Sequence, residues 1–210
     1  MSREPKETGA KLGSIQVVLM HVQVLGIVGV LCGALFVQFV GGEYPCPLCL
    51  LQRMAMMLAA MGPMYVLVAR ESGEPHGSTR ARFMRGYGMS IVAAVLGLAI
   101  SSRQVLLHIM PGDPGYGSPV MGWHLYTWAV VVFLVVIVVS GFTMMFSESL
   151  VPRDRRRSMA TRATSSVFAI VIAINVISTF AESGIRLFVP DNPTQYELVE
   201  EVESEFGRSE

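Results

Sequence analysis

Polar and apolar positions along this chain are segregated into long blocks. Five blocks, at about 15–40, 47–69, 87–107, 123–147 and 166–189, are almost free of charge. Each is about 21–26 residues long, and a helix of ~20 apolar residues crosses a bilayer core. Together they hold more than half the chain but only four charged residues, Arg53, Arg103, Glu182 and Arg186. The pattern predicts an all-α integral membrane protein with five spanning helices. The first block exceeds the ~7–15 residues of a signal-peptide core and no A-x-A site follows, so it reads as a retained helix.

The basic residues alternate from loop to loop. Arg3, Lys6 and Lys11 precede the first block. Arg70, Arg80, Arg82 and Arg85 follow the second, and Arg153, Arg155, Arg156, Arg157 and Arg162 follow the fourth. The loops 41–46 and 108–122 have none. Lys and Arg accumulate on the cytoplasmic side. The expected topology is therefore a cytoplasmic tail at 1–14, one helical domain at 15–189 and an acidic tail at 190–210 on the outer side. The first loop is only a few residues long, so helices one and two must be antiparallel neighbours.

Composition agrees with this placement. Of 210 residues, 52% are hydrophobic and only 15% are charged, where a soluble domain carries roughly 25% charged residues. Formal net charge is zero, so no global field argues for nucleic acid. Three cysteines are too few for a disulfide-stapled scaffold.

Chemistry concentrates at Tyr44-Pro45-Cys46-Pro47-Leu48-Cys49-Leu50-Leu51-Gln52-Arg53. The topology puts this segment on the oxidising side of a bacterial membrane. Two cysteines with two residues between them at a helix start can close a small disulfide ring, and the helix N-terminus favours a thiolate there. Pro47 suits an early helical position, having no amide to lose. Arg53 follows Cys49 by four residues and shares its helix face. An arginine just inside a membrane boundary is a functional-site candidate, set against a snorkelling role at lipid phosphate.

Other residues carry weaker signals. Cys-x-x-Cys can also be half a zinc site, with His108 and His124 on the same side as the remaining ligands. Trp123, Tyr126 and Trp128 fit an interfacial aromatic belt. Alternatively, His124 with Arg103 or His108 lines a pocket and supplies protons. Cys32 reads as a small buried residue within helix one. Gly26, Gly29 and Gly33 permit close helix contact, the methionines from Met54 to Met64 read as adaptable packing, and Glu182 and Arg186 can pair along helix five.

On Pro45-Cys46-Pro47-Leu48-Cys49 with Arg53 behind it, and on the four-helix hydropathy over about 15–147, the sequence resembles the bacterial disulfide bond formation protein B family. The resemblance implies an inner-membrane four-helix bundle, here with a fifth C-terminal helix, holding ubiquinone or menaquinone near the outer surface. It implies a thiol:quinone oxidoreductase that reoxidises a periplasmic thioredoxin-like dithiol oxidase and passes two electrons to the membrane quinone pool. Cys46 and Cys49 would be the quinone-proximal pair, Cys49 facing the quinone and Arg53 binding or polarising it. Arg103 and His124 are further candidate quinone contacts, and no metal is expected.

The chain departs from the family in one respect that bears on mechanism. Members carry a second cysteine pair in the outer loop between helices three and four, and loop 109–122 has none. A shortened relay is the expectation, with a partner thiolate attacking Cys46 directly as the more exposed sulfur. The alternatives are a non-catalytic homologue that serves assembly or holds a partner, and the Cys2His2 zinc site.

Overall fold

The computed structural model describes residues 4–70, 76–151 and 158–183, with side chains described over 12–69, 79–151 and 158–183. Among the described residues the elements are α1 (Glu4–Phe39), α2 (Pro47–Arg70), α3 (His76–Leu107), α4 (Leu125–Met145), the single turn α5 (Ser147–Leu150) and α6 (Met159–Ser183). Five of these are long and apolar enough to cross a membrane: Leu12–Phe39, Pro47–Ala69, Thr79–Leu107, Leu125–Met145 and Met159–Ser183. The protein is an all-α membrane protein, as the charge pattern predicts.

Three helices start earlier than expected, while α4 is two residues shorter at each end. α1, α3 and α6 start at Glu4, His76 and Met159, ahead of the expected 15, 87 and 166. Charge marks where a helix leaves the apolar layer, and the polar turns beyond that point still keep their backbone hydrogen bonds. Most of the expected 1–14 tail is thus the first part of α1. Arg186 and the acidic tail 190–210 lie outside the described residues.

α4 and α6 each bury one stripe at alternating three- and four-residue steps. On α4 the stripe is Tyr126, Ala129, Phe133, Val136, Ser140 and Thr143. On α6 it is Thr161, Thr164, Phe168, Val171, Asn175, Ser178 and Glu182. The buried stripes are rich in small and polar residues, while the outer faces carry large apolar ones such as Val138, Phe142, Ile177 and Phe180. This inverts the arrangement of a soluble bundle. It suits lipid, where small residues and interhelical hydrogen bonds, not apolar burial, hold helices together.

α2 is the central element, packed against α1, α3, α4 and α6. α1 and α6 run parallel. The His21 ring nitrogen Nδ1, midway along α1, lies 2.9 Å from Thr164 Oγ1 near the start of α6, and Gln38 Nε2 donates to Ser178 Oγ at 2.8 Å toward the ends of both.

The close contact of α2 with α3 depends on Gly62. A Cβ there would overlap Ser90 Oγ and the Gly86 carbonyl oxygen, and Ser90 Oγ already donates to the Ala59 carbonyl at 2.7 Å. By contrast, Gly26, Gly29 and Gly33 have nothing within 4 Å of a built Cβ. The expectation that they permit close contact is corrected: they sit on the outer face of α1. Gly62→Ala should therefore destabilise the bundle by about 1–3 kcal/mol, and Gly29→Ala should be near neutral. Unfolding in detergent measures both, and equal losses would contradict this packing.

Candidate functional site

α1 ends at Phe39 before Gly41-Gly42, and the chain crosses to α2 in seven residues, 40–46. Cys46 occupies the N-cap position of α2. Its carbonyl accepts from Leu50 N at 3.1 Å, and its sulfur accepts from Cys49 N at 3.2 Å. The cap and third helical positions are brought together by the helix start itself. Here that places two sulfurs side by side, and Cys46 and Cys49 form a disulfide with their Cα atoms 5.0 Å apart.

α3 supplies the backing. Gln104 is buried and donates from Nε2 to Cys46 Sγ at 3.2 Å. Its Oε1 accepts from Gln52 Nε2 at 2.6 Å, so the amide is held in one orientation. One turn beyond Cys49, buried Arg53 donates from Nη1 to Gln38 Oε1 at 2.6 Å. Its Nη2 donates to the Ala34 carbonyl at 3.1 Å. A snorkelling arginine would reach outward to lipid phosphate; this one turns inward against α1.

Cys49, Gln52 and Arg53 open onto one cavity of about 90 Å³. Val30, Ala34, Val37, Met56 and Ala129 form apolar walls, and Tyr126 and Trp128 contribute aromatic faces. The cavity thus combines apolar and aromatic walls with one cationic donor and a sulfur, the lining of a small-molecule site with few polar groups.

The loop between α3 and α4 closes over this end. Tyr116 donates from its hydroxyl to the Tyr44 carbonyl at 2.6 Å. Ser118 N donates to Glu43 Oε1 and Oε2 at 3.0 and 3.1 Å. Gly117 between them has φ +72, and a Cβ there would lie 2.9 Å from Glu43 Oε2, so both conformation and space require glycine. The Asp113 carboxyl accepts from Gly115 N at 2.8 Å and pairs with His108 at 3.1 Å. These bonds hold it below the usual carboxylate range. Burial, with the charges of Glu182 and Glu43 nearby, raises the Tyr116 phenol.

Some sequence expectations change here. Cys46 is not the more exposed sulfur: it is only 5% exposed, with Gln104 of α3 packed on it. Cys49 is the sulfur on the cavity wall. Cys32 is exposed on α1, not buried. Arg103 is exposed on the outer face of α3 and does not line the cavity. His124 is also off the lining; its Nδ1 lies 3.0 Å from the Gly117 carbonyl oxygen, and its ring stacks on Tyr126 with centroids 5.2 Å apart. Tyr126 and Trp128 belong to the cavity as well as to the boundary. Among the described residues no three His, Cys, Asp or Glu side chains converge as metal ligands; Cys46 and Cys49 are bonded to each other, and His108 and His124 lie against Asp113 and the Gly117 carbonyl. Glu182 accepts from Gln38, and Arg186, its expected partner, lies outside the described residues.

The family described as "Disulfide bond formation protein DsbB" matches residues 16–143. Several curated proteins named "Disulfide bond formation protein B" are similar. The one from Xanthomonas euvesicatoria pv. vesicatoria is 38% identical over 90 residues, 42% of this chain and 48% of that protein. The one from Neisseria gonorrhoeae is 30% identical over 102 residues, 46% of this chain and 59% of that protein. The one from Chromobacterium violaceum is 40% identical over 80 residues, 38% of this chain and 44% of that protein. The chain thus spans about half the length of these relatives. No solved structure matches.

Proposed function

Because the chain belongs to the disulfide bond formation protein DsbB family, we propose that it is a membrane thiol:quinone oxidoreductase that oxidises a periplasmic thioredoxin-like dithiol. The observation that carries this reading is the cavity shared by Cys49 and the buried Arg53, with Cys49 bonded to Cys46. The alternation of basic loops supports an orientation with this end of the bundle outside, the N-terminus in the cytoplasm and the C-terminus in the periplasm.

Exchange begins on Cys46. A partner thiolate forms a bond to its sulfur, the Cys46–Cys49 bond breaks, and Cys49 takes the electron pair as thiolate. The partner's second thiolate then attacks the partner sulfur of the mixed disulfide and expels the Cys46 thiolate. The partner leaves oxidised by two electrons and the Cys46/Cys49 pair is reduced by two. Gln104 Nε2 and the Cys49 amide are donors already aimed at Cys46 Sγ, so they stabilise that sulfur as it gains charge. Arg53, Tyr126 and Trp128 would hold a quinone beside Cys49. When bound, a quinone supplies an acceptor for two electrons and two protons, which returns the pair to the disulfide. Arg53 contributes a fixed positive charge where water is excluded, and such charge is most effective there.

The test is turnover by the purified full chain in lipid nanodiscs with a reduced thioredoxin-like dithiol and a short-chain quinone. Equal amounts of dithiol oxidised and quinone reduced are expected, and no rate above protein-free controls would overturn the proposal. The cysteine-free loop favours a non-catalytic homologue as the second reading, and the same null result would support it.

Because Cys46 is buried, the loop tied to the adjoining 43–44 segment must lift for the partner. Tyr116→Phe combined with Glu43→Ala removes its ties to the 43–44 segment. Each such bond contributes about 1 kcal/mol, and 1 kcal/mol corresponds to about a fivefold change in population. Partner exchange should therefore speed up by at least about fivefold in stopped-flow measurements. An unchanged rate would show that the loop does not gate access.

A further inference from the structure

α6 places a carboxyl group where none is needed for anchoring. Glu182 is fully buried within the span. Its Oε2 accepts from Gln38 Nε2 at 3.1 Å, and among the described residues its Oε1 has no hydrogen-bond partner. A carboxyl group at membrane depth is costly and marks function more often than structure. Helix attachment is already provided elsewhere, by Ser178 on Gln38 and by the His21 and Thr164 pair.

Gln38 connects Glu182 to the site. An amide side chain has one donor end and one acceptor end, and its neighbours decide which way it points. Here Nε2 faces Ser178 Oγ and Glu182 Oε2, and Oε1 is consequently turned toward Arg53 Nη1, 2.6 Å away. Ser178 cannot fix this choice alone, because its hydroxyl also donates to Gln38 Oε1 at 3.1 Å. A hydroxyl serves either end of an amide, whereas the Glu182 oxygen that faces Gln38 accepts from its Nε2. Glu182 therefore selects the orientation in which Gln38 can receive the guanidinium.

We infer that Glu182 is a positioning residue, which acts through Gln38 to set the Arg53 guanidinium on the cavity wall and so makes α6 a working part of the site. This rests on the function proposed above and deepens it. Loss of the anchor lets the Gln38 amide turn over, which presents Nε2 to Arg53 and moves the guanidinium off the wall. The Cys46–Cys49 disulfide, held by α2 and Gln104, is untouched by that change.

The test separates the two half-reactions in nanodiscs. Glu182→Leu and Gln38→Leu should each lower kcat/KM for a short-chain quinone by about tenfold, the size of one lost charge-assisted hydrogen bond. Exchange with the reduced dithiol, measured without quinone, should stay unchanged. Glu182→Gln retains an acceptor for Gln38 Nε2 and should restore kcat/KM to near wild type. The double variant Glu182→Leu/Gln38→Leu should lose no more than either single one, as coupled residues do. Full quinone turnover in Glu182→Leu, additive losses in the double variant, or equal damage in Glu182→Gln would overturn the inference. Should Glu182→Leu fail to accumulate, Gln38→Met carries the same expectation, and normal quinone kinetics in it would overturn the inference as well. A wild-type protein without quinone turnover would contradict the proposed function instead.

Discussion

Cys49→Ser should abolish dithiol oxidation coupled to quinone reduction, with a loss of at least ~10³-fold as expected when a covalent participant is removed. Cys49 is the sulfur on the cavity wall, and without it attack at Cys46 releases no leaving thiolate. Cys46→Ser should be equally inactive, since the disulfide cannot form. Cys32→Ser should retain full turnover, because Cys32 faces outward from α1. Coupled oxidation of dithiol by quinone, followed optically with all three variants in nanodiscs, checks the pattern. Activity in Cys49→Ser, or a loss in Cys32→Ser, would remove the relay from α2.

The second large effect is expected at Arg53. Arg53→Leu deletes the buried cation at the cavity together with its hydrogen bonds to Gln38 Oε1 and the Ala34 carbonyl. Removing one preorganised electrostatic group from a water-poor site costs about 10²-fold or more. The loss should fall on the quinone half-reaction, with dithiol exchange close to wild type. Arg53→Lys should recover little, because a single ammonium cannot reproduce the guanidinium fork that spans both acceptors. Steady-state kinetics with quinone varied at saturating dithiol measures the effect. A wild-type kcat/KM for quinone in Arg53→Leu would make Arg53 merely structural.

The five spans were legible because lipid selects on length and charge, which are read directly along a chain. Helix ends were less so, since polar turns such as those before Leu12 and Thr79 extend the helices without any apolar signal. At the site, Cys46, Cys49 and Arg53 stood out as rare residue types at telling spacings. Gln38, Gln52 and Gln104 did not, being uncharged. Arg103 drew attention through its charge, but one residue is about 100° around a helix. That turn sends Arg103 outward and Gln104 onto Cys46. The buried stripe Ser90, Ala94, Gly97, Ser101 and Gln104 carried the missing signal, small and polar side chains at three- and four-residue steps within an apolar helix. The Glu182 partnership was hidden for another reason: α1 and α6 are joined by a contact 144 residues apart in sequence, and a local helical spacing pointed to Arg186.

The most direct measurement is the redox state of Cys46 and Cys49 in native membranes, by rapid acid quenching and thiol alkylation, with the quinone pool intact or depleted. The Cys32→Ser background makes every alkylated sulfur one of the pair. A disulfide is expected when quinone is present, and two alkylated thiols when quinone is depleted and reduced partner continues to arrive. A pair whose state is the same under both conditions would contradict the relay.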